Sequence, residues 1–254
     1  MAGEQAAVAA PQLDGRAAVV TGGSRGIGRA VAGALLAAGA DVVISGRSPG
    51  ALREAADELA AGAASNGYGR LEAIEADVRR PDDAARLVRA AVGRFGGLDI
   101  LINNAGVGNF APVAEQSIDD WLQIIETNLH GVFYCCRAAI PELRDRGGGW
   151  IINISSLAGC NPFPNGAAYC ASKAGLDAFT HSLMQELRHD SIRVTEVAPG
   201  SVGTEFAGSD HRHAAAPWKL TAEDVAQVVM DLLAHDARSL PSRVELRPSR
   251  PPRK

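Results

Sequence analysis

Two hydrophobic patterns alternate along this chain. Short, almost continuous apolar runs occupy 17–21, 41–45, 71–76, 98–103, 150–155, 192–198 and 243–246. Each has the length and β-branched content of a buried strand. Between them, apolar residues recur at three- and four-residue spacing, which predicts helices. The first covers 26–40, with Ile27, Val31, Ala34, Leu35 and Ala38 on one face and Gly39 as its stop. Others are predicted over 50–62, 81–96, about 119–136, about 168–188 and 221–234. The helix at 81–96 opens on Pro81 and two aspartates, as suits a helix N-terminus. Strand and helix in alternation predict an α/β fold, a doubly wound parallel sheet with helices on both faces. Strands apolar along their whole length fit burial on both sides.

No linker or shift in composition divides the sequence, so residues 13–247 read as a single domain. Residues 1–12 read as a disordered arm and 248–254 as a solvated basic tail. With 254 residues, 46 % of them apolar, the chain can bury a large core. A net charge of −4 supplies no general attraction to nucleic acid. The cysteines Cys135, Cys136, Cys160 and Cys170 form no C-x-x-C pair, and a chain of this size needs no disulfide staples, so they read as reduced thiols. The N-terminus lacks a basic start, and no apolar run is long enough for a bilayer. The expectation is a cytoplasmic protein with neither membrane nor nucleic-acid partner.

Chemistry concentrates in two stretches. In "TGGSRGIG" (21–28), Gly22, Gly26 and Gly28 lie between the first strand and the first helix. Glycines there let the backbone turn tightly and approach a pyrophosphate, which the helix N-terminus attracts. An acid at the end of the second strand would suit the ribose hydroxyls of NAD. Gly46 and Arg47 stand there instead, and Arg25 lies in the glycine turn. Guanidinium groups suit a 2′-phosphate, so NADP(H) is preferred, with NAD(H) as the alternative. In "YCASK" (169–173), Tyr169 and Lys173 are one helical turn apart. A neighbouring ammonium would lower the phenol's pKa toward the range where proton transfer is efficient.

These stretches, with several others in the same order, resemble the short-chain dehydrogenase/reductase family. "TGGSRGIG" is similar to its cofactor turn, "ADV" (76–78) to its adenine contact and "NNAG" (103–106) to its signature after the fourth strand. Asn128 in "ETNLHGVF", Ser156 in "NISSLAG" and "YCASK" match its catalytic positions, and "PGSVGT" (199–204) resembles its nicotinamide loop. The likeness runs from residue 13 to about 204. It implies a Rossmann-type sheet of seven strands, and a homotetramer or homodimer built through the helices holding Asn128 and Tyr169.

The resemblance also implies roles. Cofactor contacts fall to Gly22, Ser24, Arg25, Gly26, Ile27, Gly28, Arg47, Asp77, Val78, Asn104, Ala105, Gly106, Tyr169, Lys173, Pro199, Gly200, Val202 and Thr204. Tyr169 would protonate a carbonyl oxygen, Ser156 would hydrogen-bond it, and Lys173 would lower the phenol's pKa and hold the nicotinamide ribose. Asn128 would hold a water between Lys173 and solvent, although it could instead cap or kink its helix. Ser155 rivals Ser156, since adjacent strand residues face opposite ways; the family alignment favours Ser156. Asn103 reads as structural. The implied activity is NADPH-dependent reduction of a ketone or aldehyde. The alternatives are alcohol oxidation with NAD(P) and a non-catalytic dinucleotide sensor. Phe110, Phe163, Phe206 and Trp218 are candidates to line an apolar substrate space, and 205–218 reads as a lid. His211 and His213 have no nearby partners for a metal site, so none is expected.

Overall fold

The seven apolar runs form one parallel sheet in a computed structural model that describes residues 11–62, 68–204, 206 and 216–252. The strands are β1 (Ala17–Val20), β2 (Asp41–Gly46), β3 (Leu71–Glu75), β4 (Ile100–Asn103), β5 (Gly149–Ile154), β6 (Ile192–Pro199) and β7 (Arg243–Leu246). The helices are α1 (Gly26–Ala37), α2 (Pro49–Ala61), α3 (Pro81–Phe95), α4 (Ile118–Ile125), α5 (Gly131–Asp145), α6 (Ala167–Leu187) and α7 (Ala222–Leu233). Strand order is β3-β2-β1-β4-β5-β6-β7, so the order reverses direction beside β1. In register, Val19 lies opposite Val43 on one side and Leu101 on the other.

Alternate strand residues enter different cores. Ala18, Val20, Ile44 and Ile102 pack with α1 and α7, through Leu35, Leu36, Val225 and Val229. Val19, Val43, Leu101 and Ile151 pack with α3, α5 and α6, through Leu87, Ala139, Leu143 and Leu176. Both faces are therefore covered, which is why the central strands are apolar throughout. β3 lies at the sheet edge, and Glu72 and Glu75 are accommodated there. Beneath the sheet, the buried Asp99 carboxylate accepts from Ala17 N at 2.9 Å and pairs with Arg16 and Arg146, which hold it below the usual carboxylate range against the cost of burial.

The helix expected over 119–136 differs from expectation. It continues to Asp145 through Pro141, and a π-helical turn at Glu126–His130 separates α4 from α5. Proline removes one helical N–H, but Ala139 and Leu143 on either side of Pro141 are fully buried, so packing outweighs that loss. Gly39 ends α1 region as expected, at φ 91°, and Gly96 ends α3 at φ 86°. Among the described residues, no helix is long and apolar enough to cross a membrane. The expected lid over 205–218, with His211 and His213, lies largely outside the described residues, as does most of the N-terminal arm.

Candidate active site

In an open parallel sheet, ligands bind beyond the carboxyl ends of the strands, where strand order reverses. A cavity of about 1700 Å³ lies there. It exceeds the few hundred to about 1,000 Å³ that a single drug-sized ligand fills.

The glycine turn forms one wall. Gly22 has φ 67° and Gly26 has φ 53°, conformations that L side chains rarely adopt. A β-carbon on Gly28 would lie 2.3 Å from Gly22 O and 2.4 Å from Asn104 Nδ2. Asn104 fixes the turn by donating to Thr21 O at 3.0 Å and Gly22 O at 3.1 Å, while Thr21 Oγ1 accepts from the amides of Asn104 and Ala105. The open end of α1 faces this wall. Ser48, Ser117 and Thr221 cap α2, α4 and α7, but α1 has no side-chain cap and no acid in its first turn. Free N–H groups and a positive dipole end at a glycine cradle fit a dinucleotide pyrophosphate.

Ser24, Arg25, Gly26, Ile27, Arg47, Asp77, Val78, Asn104, Ala105 and Gly106 all line the cavity. Arg25 and Arg47 are exposed. Among the described residues, neither forms an ion pair. Asp77 is engaged by Arg79 at 2.6 Å, which holds its carboxyl below the usual range. Pro199, Val202 and Thr204 close the far side, where Gly203 N donates to Leu220 O at 2.7 Å. Gly28 and Gly200 pack behind the wall; a β-carbon on Gly200 would meet Leu157 Cδ1 at 2.5 Å.

Ser156, Tyr169 and Lys173 meet on the remaining wall. Ser156 follows β5, its Oγ accepts from Ala158 N at 3.1 Å, and it lies near enough to the Tyr169 phenol to act against the rise in that phenol's pKa. A hydroxyl that accepts from Ala158 can give its own hydrogen to the phenol oxygen. The rival, Ser155, donates to Asp177 Oδ1 at 2.5 Å inside the protein. Asn103 is structural: its Nδ2 donates to Asn153 Oδ1 at 2.8 Å in the buried sheet.

One expectation needs correction. Lys173 was expected to lower the Tyr169 pKa. Burial dominates instead and pushes the phenol up to about 12, against the lowering effect of the Ser156 hydrogen bond. Lys173 Nζ is 5.9 Å from the Tyr169 ring centroid and donates to Ile154 O at 2.9 Å. Burial brings the lysine itself down to about 8, opposed by the charges of Asp177 and Glu196. The Asn128 side chain, expected to serve a water between Lys173 and solvent, also has a structural part. Its Oδ1 accepts from Val107 N at 2.8 Å, and its Nδ2 donates to Val107 O at 2.9 Å and Ser172 Oγ at 3.0 Å. Its carboxamide is committed to tying the segment after β4 to α6. It stands in the π-helical turn, a feature frequent at functional sites.

Sequence reasoning missed a charged cluster behind Lys173. Glu196 is fully buried in β6, with Arg243 at 3.2 Å; Arg243 also reaches Asp177 at 3.4 Å. Burial, then the neighbouring Asp177, pushes Glu196 up to about 7. The signal was present: Glu196 puts an acid between Val194 and Val197 in a strand, and Asp177 lies one helical turn beyond Lys173. Trp218 departs from expectation by lining a separate surface depression with Arg247 and Arg250. Cys135, Cys136 and Cys170 are buried and Cys160 is exposed, all as free thiols.

Fold and cavity together define a dinucleotide-binding α/β architecture. The short chain dehydrogenase family model matches residues 16–215, and the chain belongs to that family of oxidoreductases. An uncharacterised oxidoreductase of Staphylococcus aureus is 31 % identical over 240 residues, which are 93 % of this chain and 98 % of that one. A metagenomic short-chain oxidoreductase in complex with NADP is 37 % identical, with a TM-score of 0.81 over 94 % of this chain and 100 % of that one. An alcohol dehydrogenase from Thermococcus sibiricus, complexed with 5-hydroxy-NADP, is 28 % identical, with a TM-score of 0.84 over 94 % and 99 % of the two chains.

Proposed function

We propose that the protein is an NADPH-dependent reductase of a ketone or aldehyde. The observation that carries this reading is the convergence of Ser156 and Tyr169 on the same cavity as the glycine turn and the open end of α1. NADP-complexed relatives at 37 % and 28 % identity support the cofactor, as do the exposed Arg25 and Arg47 where an acid would favour NAD.

The cofactor, when bound, supplies hydride to the carbonyl carbon. Gly22, Gly26 and the first amides of α1 would hold its pyrophosphate, Arg25 and Arg47 its 2′-phosphate, and Lys173 its nicotinamide ribose. Tyr169 Oη gives its proton to the substrate oxygen as that oxygen gains negative charge, so the carbonyl becomes an alcohol. Burial, which pushes the phenol up to about 12, keeps it protonated at neutral pH but makes it a weaker acid, so the transfer is driven by the negative charge that develops on the substrate oxygen. Ser156 donates a hydrogen bond to the same oxygen, as an oxyanion site does. The Asn128 carboxamide keeps the Val107 edge of the site in place. In the oxidative direction the same groups run in reverse, and the Thermococcus sibiricus relative, an alcohol dehydrogenase, favours keeping that direction in view.

We further propose a homodimer or homotetramer. Ile118, Trp121 and Leu122 on α4 and Phe133 on α5 are large apolar residues left exposed on neighbouring helices.

A panel of ketones and aldehydes with NADPH, followed by loss of reduced-nicotinamide absorbance, tests the activity. Turnover with NADPH at least about tenfold more efficient than with NADH is expected. No turnover of any carbonyl, or equal use of both cofactors, would contradict it.

A further inference from the structure

Two phenylalanines from separate segments, Phe110 and Phe206, pack on Tyr169, and a third, Phe163, packs on Phe110. Phe110 follows β4, Phe163 precedes α6, and Phe206 follows the 199–204 loop. The Phe110 ring stands edge-on to Tyr169, with centroids 5.8 Å apart and planes at 82°. Phe206 lies 5.5 Å from Tyr169 on a tilt of 55°. Phe163 stands edge-on to Phe110 at 5.4 Å.

The backbone is shaped to admit these rings. A β-carbon on Gly108 would lie 2.8 Å from Phe206 Cε1 and 3.3 Å from Phe110 Cζ. One on Gly166 would lie 2.5 Å from Phe163 Cε2. Both glycines are therefore needed for the rings to sit where they do. Asn165, beside Gly166, is held at φ 65°, in the left-handed region. Its carbonyl accepts from Ala111 N at 3.0 Å, which ties the loop carrying Phe163 to the segment carrying Phe110. Despite this packing, Phe110 and Phe163 remain 43 % and 41 % exposed. Apolar rings held beside a proton donor and half open to solvent form a wall that a flat apolar group can cover.

We propose that this wall selects carbonyl compounds bearing an aryl group next to the carbonyl, such as aryl ketones and aromatic aldehydes. The inference rests on the carbonyl reduction proposed above. A flat aryl group meets ring edges and faces favourably, whereas a carboxylate or ammonium near the carbonyl would lose its hydration against Phe110 and Phe206, which line the cavity. Phe110, which touches both Phe163 and Tyr169, is the specificity-determining residue.

The test compares acetophenone, a linear methyl ketone of equal carbon count and a 2-oxo acid, with NADPH, in the parent and in Phe110→Ala and Phe110→Leu. The parent should favour acetophenone over the linear ketone by roughly tenfold in kcat/KM, and over the oxo acid by more. Phe110→Ala should reduce that preference, read as the ratio of the two kcat/KM values, roughly fivefold or more, and Phe110→Leu should fall between. A parent that reduces the linear ketone or the oxo acid as well as acetophenone overturns the inference and leaves the reductase reading standing. Saturation-transfer NMR with 1-phenylethanol on NADP-saturated protein separates the two readings. Binding that Phe110→Ala loses, with no turnover of any carbonyl, supports the aryl wall and refutes the reductase. Neither binding nor turnover overturns both.

Discussion

Burial lowers the Lys173 ammonium to about 8, and burial beside Asp177 raises the Glu196 carboxyl to about 7. For Glu196, the folded value of about 7 lies above its ordinary 4.5. The folded chain therefore keeps a proton that the unfolded chain releases between those values. Stability from this group is full below about pH 4.5 and declines as pH rises to about 7. Glu196→Gln should escape that decline. Its urea midpoint relative to the parent should rise between about pH 5 and about pH 8; a difference that does not change with pH would contradict the assignment. Arg47 belongs to the same scale. Arg47→Asp should lower the preference for NADPH over NADH by at least about tenfold, measured as the ratio of dissociation constants. Arg47 could be read from the sequence because the end of the second strand was marked by a simple apolar run. The sign of the Tyr169 shift could not, because the burial that controls it comes from segments far away in the chain.

Among elements, the junction of β1 and α1 depends most on a single residue type. Gly28→Ala sets a carbon 2.3 Å from a backbone oxygen, so the turn must move. It should weaken dinucleotide binding at least about tenfold and lower the thermal midpoint. Gly93→Ala is the control: it lies within α3 with nothing within 4 Å of the added carbon, and should stabilise the protein by about 0.5–1 kcal/mol. The alternation of strands and helices was legible because each period repeats over a whole element. The π-helical turn at Glu126–His130 was not, since one widened turn shifts a helical pattern by less than the pattern's own scatter. The end of α5 lies beyond the expected 136 because the buried packing of Ala139 and Leu143, unseen in the sequence, carries the helix through Pro141.

For the whole molecule, the sheet's reversal beside β1 gathers segments from the ends of six strands into one cavity, and the helices on the α4–α5 side keep apolar side chains in water. Ile118 is 77 % exposed and Phe133 47 %. Trp121→Glu should shift the protein from dimer or tetramer toward monomer in sedimentation velocity; a parent that sediments as a monomer would contradict the proposed assembly. Motif order made the family legible from sequence, while the aromatic wall emerged only when Phe110 and Phe206 were brought to Tyr169 and Phe163 to Phe110. The central claim is that the Tyr169 phenol delivers the proton to a carbonyl held beside the dinucleotide. The most direct measurement pairs NADPH titration with turnover in Tyr169→Phe. The account predicts NADPH affinity within about threefold of the parent and turnover reduced by about a hundredfold or more. Turnover close to the parent's, with NADPH bound, would contradict it.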